Sequence, residues 1–191
     1  MIRRRTWHNC QPMDLHSLAR QWFLGARRIE LQKLAIELGI SRATAYRWAG
    51  SAEQLVAEVL ASLVDETFAR IAEEATGTGC DRVLEVLEKG MRYTHGFQPL
   101  KKFLQNNTYQ GLKTLTTRQG PVQGRMIANL EQLLNEEIEA GHLNLTVAPG
   151  VMAYALTRIV ESFLYTDLIT GDEPDLDNAV KILQLMLRQD G

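Results

Sequence analysis

The chain has 191 residues with 21 Lys and Arg, 23 Asp and Glu and a formal net charge of −2. That length allows one large or two small domains, and the balanced charge argues against nucleic-acid affinity of the chain as a whole. No apolar run reaches membrane-spanning length, because Arg158 and Glu161 interrupt the richest one. The basic N-terminus lacks the apolar run of a secretory signal, and Cys10 and Cys80 form no paired motif. We therefore expect a cytoplasmic protein that makes no contact with a membrane.

The charge is distributed unevenly along the chain. Residues 1–57 carry a net charge of +5, and residues 58–191 a net charge of −7. Arg3, Arg4 and Arg5 place three of the basic side chains in an N-terminal arm, residues 1–13. A basic first part on an acidic remainder indicates a polyanion partner for the first part alone, although an imbalance of this size also arises by chance.

Apolar residues recur at helical spacing through the first third of the chain. The first stripe follows i, i+3, i+4, i+7 and i+8 and consists of Leu15, Leu18, Ala19, Trp22 and Phe23. The second helix carries Leu31, Leu34, Ala35 and Leu38, and a short third helix covers 42–48. Ser51 begins a long fourth helix, which ends at the Thr76–Gly79 sequence.

Helical spacing continues to the end of the chain, and alternation of period two is absent. The pattern predicts helices at about 81–95, 99–106, 108–118, 122–140, 147–169 and 176–187. The fold class is therefore all-α, with about nine helices in total. We expect an N-terminal three-helix domain at 14–57, here called the head, and a helical domain at 58–191, here called the body.

The segment from Leu34 to Leu55 has the layout of a helix-turn-helix. Gly39 can adopt the positive φ that ends a helix, and Ile40 can fill the turn's core position. Ser41 can cap the free N–H groups of the next helix, which is short and polar. A DNA-reading helix-turn-helix fits this layout, and so would any two packed helices joined by Gly-Ile-Ser.

The last two long helices carry apolar residues on more than one face. On the helix at 147–169 one stripe holds Met152, Leu156, Ile159 and Phe163, and another holds Ala153, Val160, Leu164 and Leu168. The final helix is apolar around most of its circumference, which requires a partner on both sides. Two such helices from each of two copies would form a four-helix interface of a homodimer. The alternative is that both helices lie inside the core of one copy.

Together these features resemble the TetR family of bacterial transcription regulators. The motifs that carry the resemblance are Leu34-Ala35, Gly39-Ile40-Ser41, Ala43-Thr44-Ala45-Tyr46, and Ser51 with Leu55. The resemblance is specific over about residues 14–57, and beyond them only length and helix order agree. It implies an operator-binding head and a body that dimerises and binds a small effector. The Tyr46-Arg47-Trp48 sequence is also similar to that of a subgroup controlling the degradation of quorum-signal lactones.

By this resemblance the DNA-contacting residues lie on and near the third helix. They are Lys33, Arg42, Ala43, Thr44, Tyr46, Arg47 and Trp48. The two arginines can donate to guanine or phosphate, whereas Lys33 and the Tyr46 hydroxyl suit phosphate. Ala49 and Ala52 depart from the family, which has an aromatic residue and a phosphate-contacting lysine there. Trp48 could replace the ring, and Lys33 or the arginines of the arm could replace the charge.

Aromatic, methionine and scattered polar residues in the middle of the body indicate an apolar ligand pocket. The candidates are Met91, Tyr93, Phe97, Phe103, Tyr109, Met126, Asn129, Met152, Arg158, Glu161, Phe163 and Tyr165. Each of them could equally be ordinary helical core, and Glu161 could form an ion pair with Arg158 rather than contact a ligand.

No motif indicates catalysis, a metal or a cofactor. The four histidines lack ligand spacing, and the chain has neither a phosphate-binding loop nor a nucleophile motif. We therefore predict a non-enzymatic, ligand-responsive DNA-binding regulator, with a repressor as the default. Its partners would be a pseudopalindromic double-stranded operator and a small hydrophobic effector, for which an acyl lactone is one candidate. The alternative is a helical small-molecule or protein-binding adaptor without specific DNA binding.

Overall fold

The computed structural model describes residues 10–118 and 120–188, so Arg3, Arg4 and Arg5 of the predicted arm lie outside it. Within this part of the chain every regular element is a helix, which confirms the all-α prediction. The eleven helices are α1 Pro12–Leu24, α2 Leu31–Leu38, α3 Arg42–Ala49, α4 Ala52–Glu74, α5 Gly79–Gly96, α6 Gln98–Asn106, α7 Thr108–Thr116, α8 Pro121–Glu139, α9 Pro149–Leu164, α10 Thr166–Ile169 and α11 Leu176–Leu187.

The head is built around the predicted apolar stripes of α1 and α2. Leu15 and Ala19 of α1 and Leu34 and Ala35 of α2 are almost fully buried, together with Ala45 of α3. Small residues at this crossing let the helices approach closely. The head core is therefore the one that the spacing predicts.

Helix α4 runs from the head into the body without interruption. Its first turn is capped by Ser51, whose hydroxyl accepts from the Gln54 N–H at 3.1 Å. The predicted boundary at residue 57 falls inside this helix. Helix α4 packs on α1 on the head side and on α5 and α8 on the body side. A shift of α4 would therefore change the packing of both the head and the body.

The predicted helix at 147–169 is wrong in one respect, because it is two helices. Tyr165 leaves helical geometry at φ −110° and ψ 19°, which separates α9 from the four-residue α10. The apolar pattern continues through the break, so the spacing gives no sign of it. With this division the described part of the chain has eleven helices, where the sequence predicted about nine.

A polar junction ties the start of α5 to the end of α8. Glu137 is 4 % exposed and accepts from the Gly79 N–H and from Arg82, both at 2.6 Å. Gly79 has φ +57°, and a Cβ there would lie 2.3 Å from the His142 carbonyl oxygen. Only glycine fits this approach without displacing the backbone. None of the described helices combines the length and apolar character needed to cross a bilayer.

Candidate DNA-binding face and ligand cavity

The turn between α2 and α3 has the geometry that its sequence predicts. Gly39 ends α2 in the left-handed region at φ 68°, and the Ile40 N–H donates to the Ala35 carbonyl at 3.0 Å. The Ser41 hydroxyl accepts from the Thr44 N–H at 3.0 Å and so caps α3. The turn is therefore held at both ends, and the direction of α3 is fixed against α2.

Helix α3 turns one side to the core and the other to solvent. Ala45 is fully buried, whereas Arg42, Ala43, Tyr46 and Arg47 are exposed. Among the described residues, neither Arg42 nor Arg47 has a carboxylate within ion-pair distance. Two guanidinium groups without a carboxylate partner, five residues apart in the sequence, make this a cationic face that is suited to a polyanion.

The remaining predicted DNA contacts lie at the edges of this face. Thr44 is half-buried, and its hydroxyl is 2.9 Å from that of Ser41. Trp48 is half-buried and packs against the head core, so its ring is shared between core and surface. Lys33 on α2 is exposed and forms an ion pair with Glu30 at 2.7 Å.

The two departures from the family pattern have packing roles. Ala49 and Ala52 are both half-buried and pack against the core of the head. Small side chains at these positions leave Trp48 as the one aromatic residue of α3 beside that core. Neither alanine places a charge near the face.

A cavity of about 130 Å³ lies in the body among α4, α5, α8 and α9. Its lining is largely apolar and consists of Leu60, Leu63, Val64, Thr67, Phe68, Ile71, Val86, Leu87, Gly90, Met91, Tyr93, Thr94, Phe97, Leu100, Leu115, Val122, Gln123, Met126, Thr157, Val160, Glu161, Leu164 and Tyr165. We refer to it as the body cavity.

The candidate ligand residues divide into two groups. Those that line the body cavity are Met91, Tyr93, Phe97, Met126, Glu161 and Tyr165. The others lie elsewhere: Met152 is 5 % exposed in the core, Phe163 packs half-buried on the core, Tyr109 is 77 % exposed, and Arg158 points outward. Asn129 donates to Asp65 at 3.0 Å on the outer side of α4 and α8.

Phe103 lines a second, wider cleft between the head and the body. This cleft has a volume of about 540 Å³ and is bounded by α6, α7, the loop after α1 and the starts of α2 and α4. Arg27, Arg28 and Lys102 give it a more basic lining than the body cavity has.

One end of the body cavity is polar, and it includes two residues, Gln123 and Thr157, that are not among the predicted ligand residues. Gln123 is 1 % exposed and donates from Nε2 to both Glu161 carboxylate oxygens, at 2.8 and 3.0 Å, and to the Thr116 carbonyl at 3.0 Å. Thr157 is 2 % exposed and donates to the Ala153 carbonyl at 2.8 Å. Both are polar residues on otherwise apolar helix faces. The same signal singled out Glu161 and could have found them.

Glu161 forms the predicted ion pair with Arg158, at 2.6 Å, and also faces the cavity. Burial raises the pKa of the Glu161 carboxyl, whereas the Gln123 hydrogen bond and the Arg158 charge oppose that rise. Burial and the nearby Glu161 charge raise the pKa of Tyr165, so this phenol stays neutral. The polar end therefore combines the Glu161 carboxylate, whose charge is offset by Arg158, with uncharged groups such as the Tyr165 phenol.

Aromatic rings connect the body cavity to the head. Tyr93 stacks on Phe97 with ring centroids 5.7 Å apart, and both line the cavity. Phe97 lies 6.4 Å from Phe23 of α1, which in turn lies 6.0 Å from Phe103 of α6. These distances are typical of favourable aromatic contacts. We call the contact of Tyr93, Phe97 and Phe23 the aromatic relay.

No metal-binding arrangement occurs in the described part of the chain, where no three histidine, cysteine or acidic side chains could hold one ion. Cys10 and Cys80 are both free thiols. Burial is the main cause that raises the pKa of each thiol. These cysteines therefore lack the thiolate character of a nucleophile.

Solved structures of transcriptional regulators share this architecture. The transcriptional repressor QsdR of R. erythropolis, from the TetR family, is 25% identical with a TM-score of 0.88, covering 94% of this chain and 97% of that one. A putative regulator from Rhodococcus sp. RHA1 is 18% identical with a TM-score of 0.61, covering 93% and 95%. The regulator FadR from Bacillus subtilis, in complex with stearoyl-CoA, is 13% identical with a TM-score of 0.57, covering 93% and 97%.

No curated protein matches the chain by sequence. The family model described as Tetracyclin repressor-like, C-terminal domain, matches residues 78–188. That match covers most of the body, whereas the motifs first noted lie in the head. Taken with the fold, it shows that this chain belongs to the TetR family of transcriptional regulators.

Proposed function

We propose that this chain is a ligand-responsive repressor whose homodimer binds a pseudopalindromic operator and leaves it when a small, largely apolar effector occupies the body. The observation that carries the proposal is the pairing of an unneutralised cationic face on α3 with a separate apolar cavity in the body. The description of QsdR as a transcriptional repressor supports repression as the direction of control.

Each of three segments of the chain has its own proposed role. Residues 14–57 bind DNA, residues 58–191 bind the effector and dimerise, and residues 1–13 add basic charge to the N-terminal part of the chain. Arg42 and Arg47 would contact guanine or phosphate, with Ala43 and Thr44 against base edges. Tyr46 and Lys33 would contact phosphate and fix the register, and Trp48 would support α3 from the core side.

The proposed dimer interface consists of α9 and α11. On α9 the exposed stripe includes Val151 and Tyr154, and on the adjacent α11 it includes Ile182 and Leu185, which is 77 % exposed. An apolar surface spanning two neighbouring helices is typical of a protein interface. A two-fold axis through it would present two copies of α3 about 34 Å apart, the length of one duplex turn.

The proposed coupling runs through the aromatic relay. A ligand in the body cavity would touch Tyr93 and Phe97, and Phe97 touches Phe23 at the end of α1. Because packed cores are nearly incompressible, displacement of Phe97 moves α1 and the attached head. A coupling free energy of about 1–3 kcal/mol would lower operator affinity by about 5–150-fold.

The cationic face is tested by Arg47→Ala in a gel shift with a DNA site selected by the wild-type protein. We expect loss of retention with the dimer intact, because Arg47 is exposed and makes no ion pair in the described part of the chain. The matched control is Lys89→Ala, which removes a cation from α5 of the body and should leave binding within about twofold. Unchanged retention by the Arg47 variant would rule out α3 as the recognition helix.

The second candidate is an adaptor whose helix-turn-helix is only architectural. Ala49 and Ala52 favour it, because they stand where the family has an aromatic residue and a phosphate-contacting lysine. Salt dependence separates the two candidates. A repressor loses DNA affinity steeply between 50 and 200 mM salt, with a slope set by its phosphate contacts, whereas an adaptor shows no DNA affinity to lose.

A further inference from the structure

At the polar end of the body cavity, Gln123 and Thr157 present acceptors while their own donors are already engaged. Both hydrogens of Gln123 Nε2 are directed to Glu161 and the Thr116 carbonyl, and the Thr157 hydroxyl donates to the Ala153 carbonyl. The atoms left over are the Glu161 carboxylate, the Thr157 oxygen lone pairs and Gln123 Oε1. We call Gln123, Thr157 and Glu161 the acceptor cluster.

Gln123 Oε1 is the atom of the cluster that most clearly lacks a hydrogen-bond donor. It is buried, and within the described part of the chain it has no hydrogen-bond partner. The side chain cannot relieve this by rotating its amide, because Nε2 would then leave three acceptors. A buried acceptor without a donor is destabilising, and a ligand donor that reached it would relieve that cost.

The charge at this end is already balanced. Arg158 holds Glu161 at 2.6 Å from the outer side, and Arg158 itself does not line the cavity. A cationic ligand group would therefore compete with an existing ion pair. An anionic group would place a second carboxylate beside Glu161 in a site of low dielectric, which is strongly unfavourable.

From these contacts we propose that the effector is a neutral, largely apolar molecule with a hydroxyl or N–H group, and that this group donates to the acceptor cluster. The inference rests on the proposed function, because it names the chemistry of the effector for the same cavity. Ionised carboxylates are disfavoured by the Glu161 charge, and molecules whose polar end only accepts, such as simple esters, would leave Gln123 Oε1 without a donor.

The size of the cavity sets the scale of suitable probes. Its volume is about 130 Å³, close to the roughly 150 Å³ of an apolar protein cavity that admits benzene. Compounds with a six-carbon chain are therefore matched to it. Hexan-1-ol and hexanamide offer donors, methyl hexanoate only accepts, and hexanoate is ionised at neutral pH.

The test is isothermal titration calorimetry of the full chain with these four compounds at pH 7.5. We expect hexan-1-ol and hexanamide to bind at least about tenfold more tightly than methyl hexanoate and hexanoate. Equal binding of the ester or the carboxylate would overturn the inference and leave the cavity as the effector site. Binding of none of the four would instead count against the effector site itself, independently of DNA binding.

A substitution in the cluster provides the second measurement. Glu161→Gln keeps the shape of the side chain but replaces an acceptor-only group with an amide that can donate. The affinity for methyl hexanoate divided by the affinity for hexan-1-ol should then be about tenfold higher in the variant than in the wild type. Glu139→Gln, at an exposed position of α8, is the matched control and should leave the ratio unchanged. An unchanged ratio in the Glu161 variant would overturn the inference.

Discussion

Glu137 is the residue through which the start of α5 and the end of α8 are held together. Burial disfavours its charge, but the Arg82 hydrogen bond, the Gly79 N–H and the Arg82 charge outweigh this and hold the pKa of Glu137 below its usual value near 4.5. This carboxylate therefore stabilises the fold only while it is ionised.

Glu137→Gln should lower the free energy of unfolding by about 2 kcal/mol, because it weakens charge-assisted hydrogen bonds in a buried position. Thermal unfolding should show a decrease in Tm of about 4–8 °C for a chain of this size. The control Glu136→Gln alters a half-exposed neighbour 3.5 Å from Arg82 and should change Tm far less. Equal decreases in Tm for the two variants would contradict this role of Glu137.

The same junction predicts a pH dependence. Folding lowers the pKa of Glu137. The contribution of Glu137 to the free energy of unfolding is therefore fully present above pH 4.5, and it is lost as the pH falls through the pKa of Glu137 in the folded state. The difference in unfolding free energy between the wild type and Glu137→Gln should therefore shrink below pH 4.5. Urea titrations at pH 7 and at stepwise lower pH measure this difference in unfolding free energy. A difference that stays constant with pH would contradict a lowered pKa of Glu137.

At the scale of helices, α9 and α11 carry the dimer proposal. Leu185→Glu should convert the dimer to a monomer, because a charge at the centre of an apolar interface must be desolvated without a partner. Leu185 is exposed in the single chain, so the substitution should leave the fold of each chain intact. Sedimentation equilibrium measures the mass, with Met13→Glu on the exposed side of α1 as the control. A dimeric Leu185 variant, or a monomeric wild type, would contradict the interface.

The aromatic relay makes a second prediction at this scale. Phe23→Leu removes a ring that lies outside the body cavity but contacts Phe97. Hexan-1-ol should bind this variant within about twofold of the wild type, yet it should no longer lower DNA affinity. Phe163→Leu, a ring on α9 outside the relay, should leave the response intact. A full response in the Phe23 variant, measured by fluorescence anisotropy with labelled DNA, would exclude the relay.

Helix positions could be predicted from the sequence because they depend on local spacing and caps. The stripes of α1 and α2, the Gly39 turn and the Ser41 cap are all encoded within a few residues. The end of α9 at Leu164 could not be predicted, since Leu168 and Ile169 continue the apolar pattern. The apolar spacing therefore contains no signature of this break.

The ligand cavity shows the same limit more strongly. Aromatic composition pointed equally to Phe97, which lines the cavity, and to Tyr109, which is 77 % exposed. Whether a core residue borders empty space depends on how four helices pack, and no local spacing contains that information. Gln123 interrupts an apolar helix face, a pattern that could have identified it from the sequence, but only the fold shows that it is buried beside the cavity.

At the scale of the whole molecule, the chain combines a basic part at residues 1–57, an acidic body and one continuous helix, α4, that belongs to both. The net charge of +5 over residues 1–57 concentrates attraction to DNA at one end. Helix α4 and the aromatic relay connect that end to the cavity. DNA affinity and cavity occupancy should therefore be reciprocally linked, each weakening the other by the same factor.

The most direct measurement is selection of binding sites by the full chain from a pool of random duplexes. We expect enrichment of a two-fold symmetric sequence whose half-site centres lie about 10 base pairs apart, which is one duplex turn. Arg47→Ala should fail to retain the selected site, while Lys89→Ala should retain it. Failure of the wild-type protein to enrich any sequence at moderate salt, or enrichment of an asymmetric single half-site, would contradict a dimeric operator-binding regulator.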